Sequence, residues 1–376
     1  MSKLKLMTIV GTRPEIIRLS ACIKAADRYF DHVLVHTGQN WDYTLNRVFF
    51  EDLELREPDY YLDSVGKHLG ETMGNIIGKS YEVLEKEKPD ALLILGDTNS
   101  SLSAISAKRL KVPIFHMEAG NRCWDWNVPE MINRKIVDHI ADINLPYTEN
   151  SRRYLLSEGV DGKTIFVTGS PMTEVLGTYA DKIDNSNILS SLELEPGKYI
   201  LVSAHREENI DHEENFASLM NSLNHVAELY QVPVIYSTHP RSQKFIDARN
   251  FQFNPLVRNV KPFGFLDYNK LQKNALCVLS DSGTLSEESA ILDFPGVLIR
   301  TSTERPEALD GGTIVIGGIK SKDVEQATKL AIQMKKDGAK GTLSKDYEDT
   351  NVSAKVIKII QSYTHIVNKN VWYVAD

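Results

Sequence analysis

Short apolar runs punctuate the first half of the chain, at Leu4 to Val10, His32 to Thr37, Ala91 to Leu95, Ile114 to Met117 and Ile143 to Leu145. Between them lie stretches whose apolar residues recur every three or four positions, among them Pro14 to Tyr29, Leu69 to Lys88 and Ser101 to Leu110, which predict amphipathic helices. Strand followed by helix, repeated, predicts a mainly parallel sheet. From Tyr179 to Lys198 the pattern lapses into polar residues, Asp181, Asp184, Asn185, Ser186 and Asn187, then a short helix-like stretch that ends at Pro196-Gly197. We place a domain boundary there. A second series then begins, with runs at Tyr199 to Ser203, Pro233 to Thr238, Cys277 to Ser280 and Gly296 to Ile299. The chain is therefore expected to be α/β: two doubly wound domains, residues 1–180 and 198–351, facing each other across a cleft.

A length of 376 residues agrees with two domains. Hydrophobic residues make up 42% and charged ones 25%, enough for each half to bury a core without disulfides or metal. Forty-three basic against 51 acidic residues leave a net charge of −8, which disfavours nucleic acid and acidic membrane surfaces as partners. Any phosphate must then be held locally. Cys22, Cys123 and Cys277 lie far apart and form no metal-finger spacing, as expected of a reduced, cytoplasmic protein. Lys3 and Lys5 precede an apolar stretch that Thr8 interrupts and Gly11 ends, too short for a signal peptide, and no run of 18 apolar residues occurs. Neither export nor membrane insertion is expected.

In open α/β sheets, ligands bind where strands end and helix N-termini point outward. Five such junctions carry chemistry: Gly11-Thr12-Arg13-Pro14-Glu15, Gly96-Asp97-Thr98-Asn99-Ser100, Glu118-Ala119-Gly120-Asn121-Arg122, His205-Arg206-Glu207-Glu208-Asn209 and Asp281-Ser282-Gly283-Thr284. In the first, Thr12 is placed to cap a helix, Pro14 suits its first turn, and Arg13 would face an anion. In the last, backbone N–H groups and the hydroxyls of Ser282 and Thr284 form a second anion grip, with Glu287 and Glu288 one turn on. Taken singly, each junction is as well read as an ordinary helix cap. Together they favour a nucleotide-linked substrate. Asp97, Glu118 and Glu130 are acid–base candidates in the first half, with His205 ending the first strand of the second.

Two weaker signals are set aside. Gly78-Lys79-Ser80 ends like a phosphate-binding loop, but position 73 is Met where Gly is required, and the stretch lies in a helical pattern. Gly70, Gly74 and Gly78 are expected to let a neighbouring helix approach. His32 and His36 share one face of a strand, yet no third metal ligand is spaced nearby, and packing is the better reading.

The chain resembles the non-hydrolysing UDP-N-acetylglucosamine 2-epimerase family over essentially its full length. The resemblance rests on GTRPE (11–15), TGQ (37–39), GDT (96–98), EAG (118–120), PExxNRK (129–135), HREEN (205–209), DSG (281–283) and TERPE (303–307). It implies a GT-B-like fold of two Rossmann-like domains, with UDP bound by the second and a C-terminal helix (352–376) crossing back to the first. It also implies a homodimer, and neither cofactor nor metal. EAGNRC (118–123), Val137-Asp138-His139 and residues 141–156 look like the capsule and O-antigen branch, which interconverts UDP-N-acetyl-L-talosamine and UDP-N-acetyl-L-fucosamine. Common members show EAGLRT and TGQH where this chain has Asn121, Cys123 and Asn40, and a second acidic residue where it has Met131.

Carried over residue by residue, the resemblance makes Asp97, Glu118 and Glu130 acid–base or cation-stabilising groups and His205 a diphosphate-side or proton-transfer partner. Arg13, Arg134, Ser282, Gly283, Thr284, Glu288 and Arg305 would hold the substrate or its UDP, and Phe263 would line a uracil pocket or simply pack in the core. The implied reaction starts with loss of UDP, because no carbonyl lies beside C2 to make its hydrogen acidic. The rivals are a UDP-N-acetylglucosamine/UDP-N-acetylmannosamine epimerase, a glycosyltransferase of the same fold, and a non-catalytic nucleotide-sugar sensor.

Overall fold

The computed structural model describes residues 3–38, 47–126, 128–300 and 303–374. Gln39 and Asn40 of the TGQ segment, Met1–Ser2 and the last two residues lie outside them.

The chain divides into two units, Met1–Thr178 with Lys345–Asp376, and Tyr179–Ser344. The first contains a six-stranded parallel sheet of β1 (Lys5–Val10), β2 (Asp31–His36), β3 (Tyr60–Tyr61), β4 (Ala91–Leu95), β5 (Ile114–Met117) and β6 (Ile143–Leu145), in the order β3-β2-β1-β4-β5-β6. The second repeats this order with β7 (Ile200–Ser203), β8 (Val234–Ser237), β9 (Val257–Val260), β10 (Cys277–Ser280), β11 (Gly296–Leu298) and β12 (Val315–Ile316), running β12-β11-β10-β7-β8-β9. Helices cover both faces, so central strands are apolar throughout rather than alternating. Leu201, Ile235, Val278 and Leu298 pack in one cluster, while their chain neighbours Val202, Val234, Cys277 and Val297 pack in another.

In both sheets the order reverses beside the first strand: β1 lies next to β4, and β7 next to β10. That switch point opens a crevice at the strands' C-terminal ends. All five junctions singled out in the sequence follow β1, β4, β5, β7 and β10. Among the described residues no helix is long and apolar enough to cross a membrane.

The stretch read as the boundary carries the short helices Ala180–Asp184 and Ile188–Ser191, which pack on the helix Phe265–Asn274 of the second unit. Ser186 Oγ donates to Asp267 at 2.5 Å, and Lys273 pairs with Asp184 at 2.5 Å. Polar composition there reflects helix surfaces too short to show a period. One expectation needs correction, that of the glycine stripe: it serves no close packing, since a Cβ at Gly74 or Gly78 would meet nothing within 4 Å among the described residues. The helix Leu69–Glu87 instead meets Ser103–Arg109 through Ser80, whose Oγ donates to Ser106 Oγ at 3.3 Å.

The last helix, Val352–Val371, packs on Arg13–Tyr29. Glu174 anchors its N-terminus, accepting the Ser353 N–H at 2.8 Å and its hydroxyl at 2.5 Å. Lys355 reaches the Thr168 carbonyl at 3.1 Å and Asp349 at 2.7 Å. The preceding Gly169 has φ +83°, and a Cβ there would sit 2.3 Å from Asp349 Oδ2. Because Glu174 does the work of a capping residue, Glu174→Ala should cost about 1–2 kcal/mol. The loss should be read as faster hydrogen exchange confined to Val352–Val371 and the helix beneath it; unchanged exchange in that helix would show that its hold lies elsewhere.

Candidate functional site

At the switch point of the first unit, Glu15 rather than Thr12 organises the turn after β1. Thr12 makes no side-chain cap. Instead its hydroxyl donates to Glu15 Oε2 at 2.8 Å, beside the Gly11 N–H at 3.1 Å, and Ser100 Oγ donates to the other carboxylate oxygen. A single buried side chain thus ties the turn after β1 to the turn after β4. Burial pushes its pKa up to about 7, against the opposing pull of the Ser100, Thr12 and Thr98 hydroxyls and the Gly11 N–H. Arg13 occupies the first position of the helix Arg13–Tyr29 and is partly exposed.

Asp97 and Glu118 stand on the neighbouring ends of β4 and β5, each against an arginine. Asp97 Oδ2 accepts from Arg134 Nε at 2.5 Å, and its carbonyl accepts from Asn133 Nδ2 at 2.8 Å. Glu118 Oε2 pairs with Arg18, and Oε1 accepts from Asn121 Nδ2 at 3.1 Å. The backbone is special here: Gly96 and Gly120 have φ +71° and +82°, and Glu118 itself is left-handed at +63°. For a residue with a Cβ that conformation costs about 1–2 kcal/mol, a strain the surrounding contacts must hold. Glu130 opens the helix Glu130–Ile140, where a negative charge suits the helix dipole. Asn133 and Arg134 of that same helix reach Asp97, so the helix that Glu130 opens is tied to the end of β4.

Arg18 is a residue the sequence reading missed. It is buried, with its guanidinium 5.6 Å from the Tyr147 ring centroid. A lone arginine on the core face of the first helix, in Ile16-Ile17-Arg18-Leu19, is the signal that could have revealed it. Met131 is buried as well, its sulfur 3.5 Å from Arg134 Nη1, and Cys123 Sγ lies 3.9 Å from the same nitrogen. Two of the departures from the common family pattern, Cys123 and Met131, therefore touch the arginine that holds Asp97.

The second unit repeats the device at its own switch point. Asp281, fully buried, accepts from the His205 and Arg206 N–H groups at 2.8 Å each and from Asn209 Nδ2 at 3.2 Å, joining the turns after β7 and β10. Burial raises its pKa, and those donors hold it back. His205 stacks on His239 with ring centroids 5.2 Å apart, its Nδ1 3.7 Å from Asp281 Oδ1. The hydroxyls of Ser282 and Thr284 bond each other at 3.0 Å ahead of the helix Leu285–Leu292. Gly283 is held close to Glu304, 2.6 Å from where a Cβ would stand. Glu288 accepts from Gln272 Nε2 at 2.7 Å, and Arg305 lies 3.6 Å from the buried Glu287. Ser282, Gly283, Thr284, Glu288 and Arg305 thus gather around one helix start. Phe263 is partly buried and packs against the core cluster that includes Leu285 and Ala308.

The two histidines of β2 have packing partners: His32 bonds Asp27 at 2.6 Å and Thr8 at 2.9 Å, and His36 lies against Phe50 and Tyr61. Lys79, set aside with the phosphate-loop reading, lies inside the helix Leu69–Glu87 and donates to the Asp63 carbonyl at 2.6 Å.

A family model described as UDP-N-acetylglucosamine 2-epimerase matches residues 23–361. Among solved structures, UDP-N-acetylglucosamine 2-epimerase from Rickettsia bellii is 46% identical with a TM-score of 0.90, over 99% of this chain and 100% of that one. The Methanocaldococcus jannaschii UDP-GlcNAc 2-epimerase, in complex with UDP-GlcNAc and UDP, is 31% identical with a TM-score of 0.89, over 96% and 100%. The UDP-2,3-diacetamido-2,3-dideoxy-D-glucuronate 2-epimerase of Pseudomonas aeruginosa is 33% identical over 342 residues, 89% of this chain and 95% of that protein. The paired parallel sheets share the GT-B-like fold of these structural neighbours. With a match that spans both units and includes every candidate carboxylate, the protein belongs to the UDP-N-acetylglucosamine 2-epimerase family and is an isomerase.

Proposed function

We propose that the protein inverts C2 of a UDP-N-acetylhexosamine by eliminating and re-adding UDP, and that its substrate pair is UDP-N-acetyl-L-talosamine and UDP-N-acetyl-L-fucosamine. The observation that carries the reaction is the pair of carboxylates, Asp97 and Glu118, on adjacent strand ends with Glu130's helix tied to them. Removing the C2 hydrogen needs developing positive charge at C1. As the C1–O bond breaks, its electron pair leaves with UDP, a carboxylate takes the C2 proton, and a C1=C2 bond forms. Proton return to the opposite face, followed by UDP re-addition at C1, gives the epimer. Arg13, Ser282, Gly283, Thr284 and Arg305 are assigned to the diphosphate, whose stabilisation as leaving group is worth several kcal/mol. Glu288 is assigned to the ribose hydroxyls, Phe263 to the uracil, Arg134 to orienting Asp97, and His205 to the diphosphate side or proton transfer.

The substrate branch is supported by where its marker residues lie. Asn121 bonds Glu118, and Cys123 touches Arg134, so the positions that separate the branches are in contact with the proposed acid–base groups. UDP-N-acetylglucosamine is the alternative substrate, favoured by the names of the relatives above. We further assign the protein to the cytoplasm as a homodimer, on the family resemblance.

Glu130→Gln should leave UDP binding intact and slow epimerisation by about 10²- to 10⁴-fold; near-normal turnover would remove Glu130 from proton transfer. Arg13→Ala should weaken UDP binding in calorimetric titration by more than it lowers thermal stability. Unchanged affinity would leave Arg13 a purely structural role. The decisive measurement is proton NMR in D₂O with either L-sugar nucleotide and no acceptor: deuterium should enter C2 as the epimers interconvert. Epimerisation without exchange would defeat the solvent-exchanging elimination route, and exchange into UDP-N-acetylglucosamine alone would overturn the substrate branch.

A further inference from the structure

Beneath the three carboxylates lies a buried charge pair that the reaction scheme does not use. His116 is on β5, two residues before Glu118, and is 1% exposed. Its Nε2 donates to the Gly96 carbonyl at 2.8 Å, and its Nδ1 lies 3.0 Å from Asp138 Oδ1. Asp138 is equally buried and belongs to the helix that Glu130 opens. Its carboxylate also accepts the Gly120 N–H at 3.1 Å and faces Arg122 Nη1 at 2.8 Å. Arg122 in turn forks onto Glu158 at 2.9 and 2.7 Å, and Lys135 pairs with that same carboxylate.

The connectivity is what matters. Gly96 precedes Asp97, Gly120 ends the turn that Glu118 begins, and Asp138 shares a helix with Glu130. The His116–Asp138 pair therefore touches all three segments that carry the proposed acid–base groups, two of them through backbone held in left-handed conformation. We propose that His116 and Asp138 are positioning residues, which act as one charged unit to fix the spacing of Asp97, Glu118 and Glu130. This rests on the assignment of those carboxylates to the reaction.

Nε2 lies 2.8 Å from the Gly96 carbonyl and Nδ1 3.0 Å from the Asp138 carboxylate, so a neutral ring would turn a lone pair toward one oxygen or the other. Burial alone would drive its proton off, but Asp138, the Gly96 carbonyl and the negative charge of Asp97 outweigh it and raise the pKa. Asp138 is held below the usual carboxylate range by His116 and Arg122, against the effect of its own burial. A buried pair of this kind contributes little net stability against an apolar replacement, and conformational specificity is the role it is best placed to fill. Displacements near 1 Å at reacting groups are enough to lose about a hundredfold in rate.

Asp138→Asn keeps the shape and an acceptor for Gly120 while removing the charge, and His116→Gln keeps a donor for Gly96. Each should lower kcat by about 10- to 100-fold while leaving KM and UDP affinity within about threefold. The double variant should be no slower than the slower single one, as expected of a coupled unit. A kcat within twofold of the parent in either folded variant, or losses that multiply, would overturn the proposal. Should the variants fail to fold, ¹⁵N-histidine NMR of the parent protein decides: His116 should lose its proton at higher pH than an ordinary imidazole, and a neutral-tautomer signal that already dominates at pH 6.5 would refute a charged unit. Asp97→Asn and Glu118→Gln serve as controls. If they retain full turnover, the carboxylate assignment fails; if they abolish it while Asp138→Asn does not slow it, only the positioning role does.

Discussion

A parallel sheet must end somewhere, and at its switch point two neighbouring strands release their chains in opposite directions with backbone N–H groups exposed to whatever lies there. In this protein one buried carboxylate per unit meets that demand. Glu15 joins the turns after β1 and β4, and Asp281 joins those after β7 and β10. Both have raised pKa values because burial outweighs the donors around them. Neither was singled out as a reacting group, yet each fixes the backbone from which the proposed reacting groups extend: Arg13 and Asp97 in one unit, His205 and Ser282 in the other. The candidate chemistry is built on top of two satisfied helix and strand ends.

The strand-end junctions were legible because glycine, proline and charged residues cluster immediately after apolar runs, where an α/β protein binds its ligands. The central strands were legible for the same reason. The edge strands Tyr60–Tyr61, Val257–Val260 and Val315–Ile316 were not: two are only two residues long, and the third contains Arg258 and Asn259, so none shows a buried run. Contacts between distant parts of the chain were invisible for a different reason. Arg18 meets Glu118 across a hundred residues, and Gln272 meets Glu288 from another helix. Residue types and local spacing report what a segment can do, but they do not report which segment lies beside it.

Met131 shows how a departure from a pattern changes meaning once placed. In the sequence it stands only as a missing acid after Glu130. Buried with its sulfur near Arg134, it leaves that arginine facing Asp97 with a soft, uncharged neighbour on its other side. The substitution alters the electrostatic company of the arginine rather than deleting a reacting group.

The closing helix Val352–Val371 gives the chain an order of construction. The first unit is built from two stretches, Met1–Thr178 and Lys345–Asp376, with all of Tyr179–Ser344 translated in between. At about 5–20 residues per second, that interval is roughly 8–33 s on the ribosome. Throughout it, the face of Arg13–Tyr29 that the closing helix covers waits for that helix to be made. Vectorial synthesis therefore delivers all of the second unit before the closing helix reaches the unit that bears the carboxylates.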